Sequence, residues 1–194
     1  ETVSGPGSTM KNTVNLRKKL KKIIKKYKIK SIFDAPCGDC NWIKGIIRNS
    51  SVKYIGADIV DEIIKKNKKK FNYKNTFFYQ KDITKKNLLK TDLFICRDFM
   101  FHLSFKDIYI FLNNLKKSKS KYLLISNHFK DKNKKNINQD IISGDFRKID
   151  IFQPPFNFKK NYEMVIDDYC DGTKKYLYLF KREEFIKFSN SMKF

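Results

Sequence analysis

Short apolar runs, each about as long as a strand and ending on polar residues, alternate with stretches of helical spacing along most of this chain. "SIFDAP" (31 to 36), "KYIGADIV" (53 to 60), "TFFYQKDI" (76 to 83), "DLFICRD" (92 to 98) and "KYLLISNHF" (121 to 129) read as strands. Between them "NWIKGIIRN" (41 to 49), residues 61 to 70 and "SFKDIYIFLNNLKK" (104 to 117) read as helices, the last with Ser104 as N-cap and Asp107 in its first turn. This alternation predicts βαβ units, a mostly parallel sheet and right-handed crossovers. Ahead of them "NLRKKLKKIIKKYKI" (15 to 29) puts Leu16, Leu20, Ile23, Ile24 and Tyr27 on one helical face with Lys on the other. Such a stripe docks on a domain, although a basic amphipathic helix can also lie on a membrane surface.

The final third changes character. Residues 130 to 158, "KDKNKKNINQDIISGDFRKIDIFQPPFNF", are polar and then Pro-Phe-rich, too long for a tight connection, and are expected to form a substrate loop or lid. "YEMVIDDYC" (162 to 170) and "KKYLYLFKR" (174 to 182), separated by the turn signal "DGT", predict an antiparallel hairpin that closes the sheet. At 194 residues the chain suits one core. The first nine residues, small and polar, read as a tag remnant with a disordered end, leaving 10 to 194 as a single domain that starts at Met10.

A formal charge of +23 raises nucleic acid as a partner, but the lysines are spread along a chain with only two Ala, Ala35 and Ala57. That distribution fits the bias of an AT-rich genome as well as a selected surface. No apolar run approaches the roughly 20 residues that span a bilayer. The four cysteines, without a secretion signal, point to reduced thiols in the cytoplasm.

In an open parallel sheet, ligands bind outside the carboxyl ends of the strands, where strand order reverses. Here those ends carry Asp34, Asp58, Asp82, Arg97 and Asp98. The first is followed by "PCGDC" (36 to 40), whose Pro-Cys-x-x-Cys is half of a zinc deaminase pattern. That chemistry needs an upstream His-x-Glu, yet His102 and His128 both lie downstream and neither is followed by x-Glu. A four-ligand zinc site lacks a second Cys-x-x-Cys, so no metal is expected. A redox dithiol has the right placement after a strand, but would make no use of the acidic strand ends. A nucleotide turn uses both: Gly38 admits close backbone approach, and Asp58, 20 residues on, suits the ribose hydroxyls. Carboxylates at Asp34 and Asp39 repel a pyrophosphate and favour a ligand carrying an ammonium and a sulfonium, which is S-adenosylmethionine.

On "DAPCGDCNW", "YIGADIV", "CRDFMFHLS" and "GDFRKIDIFQPPFNF" the chain resembles the class I S-adenosylmethionine-dependent methyltransferases, in particular a group of small bacterial members. Pro36 and Cys40 stand where that family usually has glycines. The resemblance implies a Rossmann-like α/β fold with a seven-stranded, mostly parallel sheet. It implies S-adenosylmethionine as cofactor and S-adenosylhomocysteine as product. Asp34 would hold the methionine amino group, with Pro36, Cys37 and Gly38 against the cofactor. Asp58 would bind the ribose and Ile59 the adenine face; Asp82 would accept from the adenine amino group beside Ile83; Cys96 and Arg97 would lie beneath the methyl group.

Methyl transfer to a hydroxyl requires a positioned acceptor and a base. His102, just past the fourth strand, is the candidate base, since histidine ordinarily titrates near pH 6.5. Asp98 is a candidate to orient it or to bind substrate, with pairing to Arg97 as the equal alternative. His128, Asp145, Arg147 and the aromatic Phe156 of "QPPFNF" are candidate acceptor contacts, Arg147 because a guanidinium binds carboxylate or phosphate in bidentate fashion. "QPPF" comes some 55 residues after "CRDF", unlike the motif of nucleic-acid amino-methyltransferases, which follows the fourth strand. A small molecule, sugar or glycan hydroxyl is therefore the expected acceptor, with an RNA-directed methyltransferase or a basic RNA-binding module as the alternative.

Overall fold

The computed structural model describes residues 1–49, 51–85, 88–128, 137–170 and 174–189. Its centre is a seven-stranded sheet in the order β3-β2-β1-β4-β5-β7-β6. Strands β1 (Ser31–Asp34), β2 (Lys53–Asp58), β3 (Thr76–Gln80), β4 (Leu93–Cys96) and β5 (Tyr122–His128) run parallel. Strands β6 (Met164–Asp167) and β7 (Lys175–Lys181) are antiparallel to each other, and β7 inserts beside β5. The expected sheet, hairpin included, is the observed one.

Both faces of β1, β2, β4 and β5 are largely buried, so those strands read as nearly continuous apolar runs, whereas β3 at the edge buries only Phe78. One face packs with α1 (Val14–Lys26), α2 (Lys44–Asn49) and α3 (Asp61–Lys70) through Leu16, Leu20, Ile23, Ile43, Ile46 and Ile64. The membrane-surface alternative for α1 has no support here, because Leu16, Leu20 and Ile23 are buried in this core and Ile24 and Tyr27 pack against it. On the opposite face Phe33, Phe94, Leu123 and Phe180 meet α4 (Phe105–Lys117) and α5 (Arg182–Ser189) through Ile108, Phe111, Leu115 and Phe185. Ser104 caps α4 by accepting from the Asp107 amide at 3.2 Å, as its sequence predicts. Helix α2 starts at Lys44 instead of 41, because Cys40 adopts a positive φ of 55° and residues 41 to 43 complete the turn. Helix α5 has no counterpart among the elements expected from sequence, since its "REEFIKF" follows β7 without a breaker.

Residues 1 to 9, expected to be disordered, instead follow a defined path over the sheet's carboxyl end. The Val3 amide and Ser4 hydroxyl donate to Asp39 (2.9 and 3.1 Å), and the Arg97 guanidinium donates to the Gly7 carbonyl at 2.7 Å. Of the expected loop, 130 to 136 lie outside the described residues. The remainder, 137 to 158, is anchored by buried Ile149, Ile151, Phe156 and Phe158.

Candidate functional site

Strand order reverses between β1 and β4, and the carboxyl ends of both open toward two adjoining cavities. The larger, about 390 Å³, is lined by Pro36, Asp58, Ile59, Asp82, Ile83 and His102 among others. The smaller, about 220 Å³, takes Pro36 and Asp58 as a shared wall and adds Cys37, Gly38, Trp42, Arg97 and Asp98, with Val3, Ser4 and Ser8 from the N-terminal segment. A further cavity of about 340 Å³, between Lys119 and Arg182, lies at the opposite end of β5. Eight of the ten residues expected at the cofactor therefore line one or other of these two neighbouring cavities. The exceptions are Asp34, buried at the end of β1, and Cys96.

Asp34 ends β1 with 1% of its surface exposed. Its Oδ2 accepts from the Tyr54 hydroxyl at 2.7 Å, whereas among the described residues no donor reaches Oδ1. Desolvation pushes its carboxyl up to about 7, although the Tyr54 bond and the charge of Arg97 pull the other way. A buried acceptor without a donor is costly unless a ligand supplies one, and an ammonium is the group that would do so. Asp58 is held by two amides, Gly38 (3.0 Å) and Val60 (3.1 Å), which aim its carboxylate along the rim. At the end of β3, burial raises the Asp82 carboxyl, but the Thr84 hydroxyl and amide and Lys85 outweigh it and leave it below its ordinary value.

Gly38 has φ +53°, and a Cβ built there would sit 2.3 Å from the Ser4 hydroxyl. What approaches its backbone in this structure is therefore the N-terminal segment. Cys37 and Cys40 are free and buried. The Cys40 thiol lies 3.4 Å from the Tyr54 hydroxyl, and the Cys37 thiol is pushed up by its bond with Cys40 and by burial. They are packing residues of the turn. Among the described residues no three His, Cys, Asp or Glu side chains are grouped to hold a metal ion.

His102 lies in a single 3-10 turn, Met100–His102, that follows β4. Its Nδ1 is 2.9 Å from the Asp145 carbonyl oxygen. A carbonyl only accepts, so Nδ1 carries a proton, and in the neutral ring the lone pair is on Nε2. The loop 143–147 grips this turn from outside: the Gly144 amide donates to the His102 carbonyl (2.8 Å) and the Arg147 amide to the Phe101 carbonyl (3.1 Å). It is the Asp145 backbone, not its carboxylate, that touches the candidate base.

The other expected residues are placed elsewhere. Asp98, with a left-handed φ of 57°, does not hold His102; it pairs with Arg97 (3.2 Å) and with the Lys175 ammonium (2.5 Å). Arg97 in turn makes a bidentate bond to Asp168 (2.9 and 3.0 Å) and stacks on Trp42. Cys96 belongs to the core on the α4 side. His128 is 2% exposed and edge-on to Phe101; burial and then the Lys175 charge push its imidazole down to about 4, so it is neutral and walled off. Phe156 packs into the core against Phe105, and Arg147 donates to the Leu103 carbonyl (2.7 Å) beneath Phe105. Neither reaches the cavity, because the loop turns its apolar side onto the sheet. Sequence reasoning missed Tyr54, Lys175 and Asp168. Tyr54 faces inward at the second position of β2 and had a strand-period signal; the two charged residues lie in the hairpin and had none.

No protein-family model and no curated protein matches the chain. Solved structures do. The methyltransferase domain of bacterial CtHen1-CN superposes with a TM-score of 0.63 at 15% identity, over 86% of this chain and 97% of that one. Magnesium protoporphyrin IX methyltransferase from Synechocystis PCC 6803, with bound S-adenosylhomocysteine, gives 0.59 at 12% identity over 86% and 82%. The N-terminal domain of EvdMO1, in the presence of S-adenosylhomocysteine and D-fucose, gives 0.61 at 10% identity over 87% and 83%. At such identities the likeness is one of fold, and the fold of this chain is that of the S-adenosylmethionine-dependent methyltransferases.

Proposed function

We propose that this protein transfers the methyl group of S-adenosylmethionine to a hydroxyl oxygen of a small molecule, sugar or glycan. One observation carries the proposal: a single cavity runs from the strand-end carboxylates Asp58 and Asp82 to His102, the imidazole whose Nδ1 is committed to the Asp145 carbonyl. When bound, the cofactor supplies an electrophilic methyl group on a cationic sulfur. The residues present fit it, since the unpartnered Oδ1 of Asp34 is an acceptor for an ammonium and Asp58 retains lone pairs for ribose hydroxyls. Asp82 would accept from the adenine amino group, with Ile59 and Ile83 as its apolar contacts. His102 acts through Nε2, which takes the acceptor's hydroxyl proton as its oxygen attacks; the imidazolium so formed keeps its Nδ1 bond.

The bond from Nδ1 to the Asp145 carbonyl, on a ring that lines the cavity, orients Nε2 for the base role assigned here. Replacing His102 with Ala is expected to lower turnover of a hydroxyl acceptor by about 10² to 10⁴ while leaving S-adenosylhomocysteine affinity within twofold. Steady-state kinetics and calorimetric titration on the same preparation measure both. Full turnover in His102→Ala with an unchanged pH profile would overturn the base assignment.

A further inference from the structure

The odd-numbered side chains of β2 and β3 share one face of the sheet, with Ile55 opposite Phe77 and Ala57 opposite Tyr79. Toward the middle of the sheet that face is covered: Ile55 and Ala57 belong to the cluster built on Phe94, Ile108 and Phe111. At the outer strand the cover ends, because the described residues between β3 and β4 form no helix. Phe77 and Tyr79 are left 38% and 49% exposed, with Tyr73 at 41% just before the strand. Isolated exposed rings are ordinary; Phe77 and Tyr79 stand on alternate residues of one edge strand and line one groove.

Local charge indicates what such a surface binds. Residues 63 to 81 hold seven Lys and no Asp or Glu, about three times the charge density of the whole chain, which carries +23 over 194 residues. The Lys53 ammonium stands 5.1 Å from the Phe77 ring centre. Lys68 lines, with Phe77 and Tyr79, an open groove of about 320 Å³ along the edge, and Lys81 carries the basic run on to the cofactor cavity.

Rings on alternate strand residues lie about 6.7 Å apart. That span suits two neighbouring nucleotides whose bases have left each other's stack, each lying on one ring while the phosphates follow the lysines. We infer that the β3 edge is a binding platform for single-stranded nucleic acid, with Phe77 and Tyr79 as stacking faces and Lys53, Lys68 and Lys81 beside the backbone. A second copy of this chain pairing edge to edge would bring two lysine arrays together. An acidic peptide or an anionic membrane would use the charge but leave the ring faces without a partner. The platform lies three strands from β4, about 14 Å at 4.8 Å per strand, so it binds and does not supply chemistry. It does not depend on the methyl-transfer proposal.

The test is fluorescence anisotropy of a labelled 12-nucleotide oligouridylate with the full chain, across a salt series, for the parent protein and Phe77→Ala/Tyr79→Ala. Stacking on an aromatic ring strengthens binding by about tenfold per base. The double variant is expected to bind at least tenfold more weakly with an unchanged salt slope, while its melting temperature and its stabilisation by S-adenosylhomocysteine match the parent's. Equal affinity of variant and parent would overturn the platform and reduce the binding to charge alone. So would an equal affinity for a duplex of the same length at the same salt. Absence of oligouridylate binding at low salt, with or without binding to a polyglutamate peptide or to phosphatidylserine vesicles, would overturn it as well.

Discussion

Asp34 and His128 are buried groups whose titration is displaced in opposite directions, one from 3.8 up to about 7 and the other from 6.5 down to about 4. Desolvation is the first cause of both, because burial disfavours whichever form is charged. Between pH 4 and 7 the folded protein holds the Asp34 proton more tightly than the unfolded chain does. The stabilisation from that carboxyl is therefore complete below pH 3.8 and lost as pH rises to about 7. His128 behaves in reverse: its contribution is present above pH 6.5 and lost as pH falls to about 4. In the parent the two slopes offset each other between about pH 4.5 and 6.5. Asp34→Asn should unmask a loss of stability on acidification of about 3 kcal/mol, and His128→Gln a loss of about 4 kcal/mol as pH rises, each across its window. Urea denaturation at half-unit pH steps reads both signs, and parallel curves for all three proteins would refute the displacements.

Two elements hold the site in shape, and neither is a strand that carries it. The hairpin contributes Lys175 and Asp168, which close a buried network with Arg97 and Asp98 at the end of β4. Removing one partner leaves carboxylates without compensation, so Lys175→Met should destabilise the fold by about 3 to 5 kcal/mol. The midpoint of chemical denaturation measures it, and a change below 1 kcal/mol would mean that Arg97 alone satisfies both aspartates. The loop 143–147 turns on Gly144, whose φ of +112° disfavours any side chain although a Cβ would meet nothing within 4 Å. Gly144→Ala is accordingly a test of backbone geometry alone. It should cost about 1 kcal/mol of stability and lower kcat with a hydroxyl acceptor, while cofactor affinity stays as it is. A variant with parental kcat would show that the Asp145 carbonyl does not position His102.

At the scale of the whole molecule, the parallel sheet sets its strand ends against an N-terminal segment that crosses over them. Cavities open on both sides of Pro36 and Asp58, so ligand in them touches the end of β2, the segments that follow β1 and β3, and the turn after β4. Binding to the folded state alone stabilises by mass action. S-adenosylhomocysteine at a hundredfold above its dissociation constant should raise the melting temperature by about 5 to 10 °C, as about 2.7 kcal/mol does in a protein of this size. No shift at millimolar ligand would mean a turn that has lost the cofactor.

The strand and helix pattern, the parallel order and the strand-end carboxylates were legible in the sequence, because apolar periodicity and strand-end polarity are local properties. Asp58, Asp82 and His102 needed only the rule that ligands gather where parallel strands end. What tertiary structure alone decided is which polar atoms meet. That Asp98 faces Lys175 and not His102 follows from β7 inserting beside β5, a pairing across some 50 residues that no local pattern encodes. That His102 is held by a carbonyl, that Arg147 and Phe156 turn inward, and that residues 1 to 9 lie over Gly38 depend on how loops pack once the sheet exists. Side-chain type sets what a residue can do; the long-range contact that buries or exposes it sets what it does.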